Sequence, residues 1–170
     1  MKKRAIVAAL AAAFLIVVVS CGDDDDGNGD VDVALPDANG AAVWEFVQEA
    51  DYSENWELWP GKGELYQGGE PHGALFTTYL NEEAFLALTN KEGAMPIGAI
   101  ILKENYTADA VFDVLTVMYK VAGFDSEHND WFFAKLAADG TVQAEGKVMG
   151  CQACHGARAD NDYILTDELR

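Results

Sequence analysis

The sequence predicts an α+β domain built on a mainly antiparallel β-sheet with a few helices. From Ala41 onward, stretches with helical spacing of apolar residues alternate with stretches rich in β-branched and aromatic residues. Asp139-Gly140 separates two such apolar stretches, and Asp-Gly is typical of a β-hairpin turn. The chain has 170 residues, half of them hydrophobic, which is enough for one domain with its own core.

The elements are predicted in chain order. Val43, Phe46, Val47 and Ala50 fall on one helical face, which indicates a helix over 41–50. The stretch that follows is rich in turn residues and aromatic side chains, so we expect a loop there. The later elements are one helix and five strands. They are strand 74–80, helix 82–89, strand 97–106, strand 114–121 and the hairpin strands 131–137 and 141–147.

The N-terminus has the pattern of an export signal. Basic residues at 2–4 precede an apolar run over 5–19, which is too short for an ordinary membrane span. Val-Val-Ser-Cys at 18–21 resembles a bacterial lipobox, so we expect residues 1–20 to be a lipoprotein signal peptide and Cys21 to be lipidated. The alternative is an ordinary secretory signal followed by an incidental cysteine. The predicted location is the periplasmic side of the inner or outer membrane, with membrane attachment through the lipid.

Charge narrows the range of partners. The chain has 29 acidic and 11 basic residues and a net charge of −18, so nucleic acid is excluded as a plausible partner. Residues 21–36 hold an aspartate-rich run that is too polar to bury, and they are predicted to form an acidic tether before a domain at 37–170. A cationic redox partner protein or a neutral small substrate fits this charge, although acidity also serves solubility alone.

The motif that carries most functional information is Cys-Gln-Ala-Cys-His at 151–155. Two cysteines three apart with a histidine directly after them are typical of c-type haem attachment. Cys151 and Cys154 would form thioethers to one haem c, and His155 would be the iron ligand. A thiol–disulfide redox pair, a structural disulfide and half of a zinc site are the alternatives.

The late position of this motif restricts the second iron ligand. Only residues 156–170 follow it, so any such ligand must come from earlier in the chain. His72 and His128 could reach the iron, but both are interpreted as ordinary loop histidines, and the remaining methionines as core residues. The sequence therefore predicts five-coordinate iron in the resting protein.

Several segments, together with the late haem motif, resemble the cytochrome P-460 family over roughly residues 40–165. They are Pro71-His72-Gly73-Ala74, Ile101-Leu102-Lys103-Glu104-Asn105-Tyr106, Val117-Met118-Tyr119-Lys120 and Asp130-Trp131-Phe132-Phe133-Ala134-Lys135. The resemblance implies that residues 37–170 form a haem domain with a small antiparallel sheet, usually as a homodimer. It also implies one of two functions. The family's enzymes oxidise hydroxylamine to nitric oxide or nitrous oxide, whereas the related beta-type cytochromes c-prime bind nitric oxide without enzymatic activity.

The resemblance implies a particular role for Lys103, because the enzymes join a strand lysine covalently to a meso carbon of the porphyrin. The residue pattern supports this independently, since Ile97, Ala99, Ile101 and Lys103 fall on one strand face and direct the amine toward the core. A desolvated lysine is a better nucleophile. The alternative is that the strand simply emerges into water at this point.

Two further residues bear on the chemistry. Phe76 falls where a hydroxylamine-oxidising member of the family has an arginine, and an apolar residue beside the haem suits neutral diatomic ligands. Glu145, shortly before the haem motif, is predicted to accept protons in catalysis, although a carboxylate at a strand end is more often solvated. Lys103 therefore favours the enzyme, and Phe76 favours a nitric oxide-binding or electron-transfer protein.

Overall fold

An antiparallel sheet of seven strands is the centre of the structure, a computed structural model that describes residues 34–170. The strands are Glu57–Leu58 (β1), Tyr66–Gly69 (β2), Gly73–Leu80 (β3), Ile100–Tyr106 (β4), Phe112–Lys120 (β5), Trp131–Leu136 (β6) and Val142–Gly146 (β7). Their order is β1-β3-β4-β5-β6-β7, and β2 also pairs with β3. Consecutive long strands are therefore neighbours joined by short connections, as a hairpin-based sheet requires.

Four helices and two short 3-10 turns complete the described chain. The helices are Gly40–Glu49 (α1), Tyr52–Asn55 (α2), Glu82–Asn90 (α3) and Met149–His155 (α4), and the 3-10 turns are Ser126–His128 and Gly156–Asn161. Asparagine side chains begin the two longest helices: Asn39 accepts a hydrogen bond from the Ala42 amide, and Asn81 accepts one from Ala84. Such N-caps satisfy amides that have no partner inside the helix.

The two faces of the sheet form separate cores, because side chains alternate along each strand. One face packs against α1, with Val43, Leu102 and Leu115 among the buried residues. The other face packs against α3 and the C-terminal segment, and it includes Ile101 and Phe133. The second core borders the cavity that contains the haem motif.

The structure confirms the predicted α+β architecture and most of its elements. Strand 97–106 is the main correction, since β4 begins only at Ile100. Gly98 has φ +93° and Ile97 is 49 % exposed, so the preceding residues form a turn rather than part of the strand. The expected loop after α1 also contains α2, β1 and β2.

The export prediction falls almost entirely on residues that the structure does not describe. The predicted signal peptide, Cys21 and the tether up to residue 33 lie outside residues 34–170. Within that described range, none of the helices has the length and apolar character needed to cross a membrane.

Candidate haem site

The cysteines and the histidine of the motif lie together on α4, directly after the last strand. One helical turn separates Cys151 from Cys154, so both thiols occupy the same side of the helix. Cys151 is partly buried against the core and Cys154 is exposed, and both are free thiols. Burial raises the pKa of the Cys151 thiol.

Contacts with the loop before β6 fix the position of α4. Gln152 donates a hydrogen bond of 2.7 Å from Nε2 to the buried carboxylate of Asp125. Lys147, just before the helix, lies 3.2 Å from the other oxygen of Asp125. These contacts hold α4 against the domain, so its cysteines are presented in one orientation.

His155 is oriented by a hydrogen bond at Nδ1, which leaves Nε2 as the nitrogen available to a metal. Its side chain is 9 % exposed, and Nδ1 lies 2.9 Å from the carbonyl oxygen of Tyr163. The carbonyl can only accept, so Nδ1 carries the proton and Nε2 keeps its lone pair. Burial lowers the pKa of His155, which favours the neutral imidazole that a metal requires.

The carbonyl that orients His155 belongs to a tightly held turn. Asp162 and Tyr163 have φ values of +51° and +68°. The buried Asp162 carboxylate accepts hydrogen bonds from Lys120 Nζ at 2.6 and 2.7 Å, from the Met95 amide at 2.7 Å and from Asn129 Nδ2 at 2.9 Å. This network is not predicted by the sequence pattern. Its members are far apart in the chain, and no motif joins them.

Lys103 lies in the same cavity as His155, as its strand alternation predicts. In the sheet it is opposite Thr78 of β3 and Thr116 of β5, and all three line the cavity. Its Nζ is 4.9 Å from the centre of the Phe76 ring, a separation typical of a cation–π contact. Burial lowers the pKa of Lys103 to about 8.

Phe76 is buried beside Lys103, on the sheet face that forms the cavity. Its ring also contacts Tyr66 at 5.6 Å and His72 at 6.0 Å between ring centres, both in edge-to-face arrangements. Phe76, which replaces the arginine of a hydroxylamine-oxidising family member, is therefore part of an aromatic cluster with Tyr66 and His72.

His72 is the principal residue whose placement the sequence analysis did not anticipate. It lines the cavity at the start of β3, with its ring centre 6.2 Å from that of His155. Burial, together with the neighbouring Lys103 and His155, lowers the pKa of His72 to about 4. His72 lies just before the predicted strand over 74–80, and this position was the sequence feature that could have placed it beside the sheet.

Other predicted candidates lie elsewhere. Glu145 is on the opposite side of β7 from Ala144, which lines the cavity, and its carboxylate accepts a hydrogen bond from the Gly40 amide at the start of α1. The prediction of Glu145 as a proton acceptor at the haem is corrected, because strand alternation directs it away from the site. His128 is 3.0 Å from Asp125 rather than in the cavity.

The residues present suit a covalently bound haem. They provide two free thiols, an imidazole with an available nitrogen, and a largely apolar cavity between α4 and the sheet. Asn105 is hydrogen-bonded to Thr116, which lines this cavity, and its Oδ1 is the one buried side-chain polar atom without a partner among residues 34–170. A buried acceptor of this kind is consistent with a site built for a further group.

Comparison with known protein families agrees with this arrangement. The family model described as cytochrome P460 matches residues 50–166, which include all seven strands and the haem motif. A search of curated proteins found no significant match. The resemblance predicted from the sequence is thereby confirmed, and it implies a haem cofactor. The chain belongs to the cytochrome P460 family and is a c-type haem protein.

Proposed function

We propose that this protein oxidises hydroxylamine to nitric oxide or nitrous oxide, at one haem held by Cys151, Cys154 and His155. The observation that carries the proposal is the position of Lys103, which shares a cavity with His155 and has a pKa of about 8. The haem would supply an iron that binds a small nitrogen compound and accepts its electrons. His72 lies across this cavity, with its ring centre 6.2 Å from that of His155.

The chain's own residues would orient the cofactor and handle protons. Tyr163 holds the His155 ring through Nδ1, which makes Nε2 the metal-binding atom. Oxidation of hydroxylamine releases protons, so nearby bases are required. His72 and Lys103 are titratable side chains in the cavity, whereas Glu145 is not in it.

Lys103 would additionally be joined to the porphyrin. Its Nζ would replace a hydrogen on a meso carbon, so one N–H and one C–H bond break as the N–C bond forms. This loss of two electrons and two protons requires an oxidant such as hydrogen peroxide, which is reduced to water. Only the neutral amine has the lone pair for this reaction.

The direct test replaces Lys103 with Ala, and with Met as a control that retains the apolar stem. Both variants are expected to keep the thioether-bound haem and to lose the second covalent link, so the red-shifted ferrous absorption of a cross-linked porphyrin disappears. Hydroxylamine turnover should fall with it. If wild type and variants give the same ordinary c-type spectrum, Lys103 is structural and the enzyme proposal fails.

The rate of cross-link formation should depend on pH. With a pKa of about 8, roughly a tenth of Lys103 is neutral at pH 7 and most of it at pH 9. In holoprotein prepared without oxidant, the rate after peroxide addition should rise about tenfold between these pH values and then level off. Mass spectrometry of the haem peptide measures it. A rate still rising steeply at pH 10 would indicate an ordinary lysine pKa.

Phe76 supports a second candidate function. It is buried beside Lys103 and His72, and such an apolar neighbour favours a neutral diatomic ligand over a polar substrate. In that case the protein would bind nitric oxide or transfer electrons, as the beta-type cytochromes c-prime do. Retained nitric oxide binding without hydroxylamine turnover would favour this alternative.

The remaining proposals concern the protein's surroundings. Hydroxylamine oxidation and electron transfer both require electron exchange, and the net charge of −18 suits a cationic redox partner protein. We also propose that the protein is a homodimer and is held on the periplasmic side of a membrane by lipid on Cys21. Incorporation of labelled fatty acid, lost in Cys21→Ala, would test the anchor.

A further inference from the structure

His72 and His155 face each other across the cavity at a separation that suits a shared metal ion. Their ring centres are 6.2 Å apart, and the ring planes are perpendicular. A metal–imidazole bond is about 2 Å long and a ring nitrogen lies about 1 Å from the ring centre, so two imidazoles on opposite sides of one metal have centres roughly 6 Å apart. The observed separation matches this value.

The free nitrogen atoms of the two rings are also compatible with such an arrangement. Nδ1 of His155 is occupied by the Tyr163 carbonyl, which leaves Nε2 for the metal. Nδ1 of His72 lies 3.4 Å from Oγ1 of Thr116, so Nε2 of His72 is likewise on the remaining edge of its ring. Metal-binding histidines are commonly held in this way through the nitrogen that does not bind the metal.

Asn105 lies beside Thr116, the residue next to Nδ1 of His72. The Asn105 amide group donates to the Val114 carbonyl and to Thr116 Oγ1, while its Oδ1 is buried without a partner. Thr116 Oγ1 can donate its own proton to the Lys103 carbonyl at 3.4 Å, which leaves it free to accept a proton from Nδ1 of His72. That tautomer keeps the lone pair on Nε2.

We propose that His72 is the second axial ligand of the haem iron in the resting protein and that small molecules must displace it. This rests on the proposed haem attachment through Cys151, Cys154 and His155. It revises the expectation of five-coordinate resting iron, because the reactive five-coordinate form would arise only when His72 leaves. His72 would thus limit the access of hydroxylamine or nitric oxide.

The test compares ferric wild-type holoprotein with His72→Ala and His72→Gln, and with His128→Ala as the matched control. Wild type and the His128 variant should give low-spin electron paramagnetic resonance and absorption spectra. Both His72 variants should be high-spin, and added imidazole should restore the low-spin spectrum of His72→Ala. If His72 occupies the iron in nine-tenths of wild-type molecules, its removal should tighten cyanide binding about tenfold.

Stopped-flow mixing with cyanide adds a kinetic criterion. The wild-type rate should become independent of cyanide concentration when departure of His72 limits binding, whereas the variants should remain linear. A high-spin wild-type spectrum with covalent haem present would overturn the role of His72 and leave the attachment intact. A low-spin spectrum that survives both His72 substitutions would also overturn it. Absence of covalent haem from wild type would instead contradict the proposed function.

Discussion

Replacing Cys151 and Cys154 together with Ala is expected to abolish covalent haem attachment in protein prepared without oxidant, because Lys103 is then not joined to the porphyrin and no other cysteine lies within residues 34–170. Each single variant should retain one thioether, since the two thiols occupy the same side of α4. Intact mass under denaturing conditions distinguishes the outcomes, as only covalently bound haem stays with the polypeptide. The loss in the double variant should be complete.

Ala153→Ser is the matched control for this experiment. Ala153 is exposed and lies between the two cysteines, so its substitution changes the same helix without removing a thiol. Its haem content should equal that of wild type. A double cysteine variant that still has covalent haem would show that another residue, with Lys103 as the first candidate, attaches the cofactor independently.

The sequence predicted the parts of the site that depend on local pattern. The haem motif is contiguous, and the position of Lys103 follows from its alternation with Ile101, although Ile97 and Ala99 lie before β4. Strand alternation also explains why Glu145 does not lie at the haem site, where the sequence-based prediction placed it. Ala144 and Glu145 are adjacent in the chain, so only one of them can face the cavity, and the structure places Ala144 there.

The parts that were not predicted depend on pairing between distant strands. The pairing of β3, β4 and β5 brings Thr116 next to His72, and α4 then places His155 across the cavity from it. The residues around His72 alone do not determine how β3, β4 and β5 pair or where the chain runs before β3. A histidine in a polar segment therefore predicts only an ordinary loop residue.

The buried ion pair between Lys120 and Asp162 is expected to have the largest effect on stability. Lys120, at the end of β5, is 8 % exposed, and its Nζ also lies 4.9 Å from the Trp131 ring centre. Lys120→Met would leave the Asp162 carboxylate buried without its cation. Removing one partner of a buried pair typically costs about 3–5 kcal/mol. Urea unfolding of the holoprotein at neutral pH, followed by circular dichroism, measures the loss.

Two further variants separate the ion pair from other effects of substitution. Arg158→Met removes a partly exposed ion pair with Glu168 in the same C-terminal segment and should cost no more than about 1 kcal/mol. The double variant Lys120→Met/Asp162→Asn should recover part of the lost stability, because neither charge is then buried alone. Asparagine also tolerates the left-handed backbone at position 162.

The same variants test whether the ion pair controls the haem ligand. Asp162 directly precedes the carbonyl of Tyr163 that accepts the His155 Nδ1 proton, so displacement of this turn should loosen the orientation of the ring. Lys120→Met should therefore change the haem reduction potential as well as stability, while Arg158→Met should change neither appreciably. Destabilisation with an unaltered potential would mean that Lys120 and Asp162 support the fold without positioning His155.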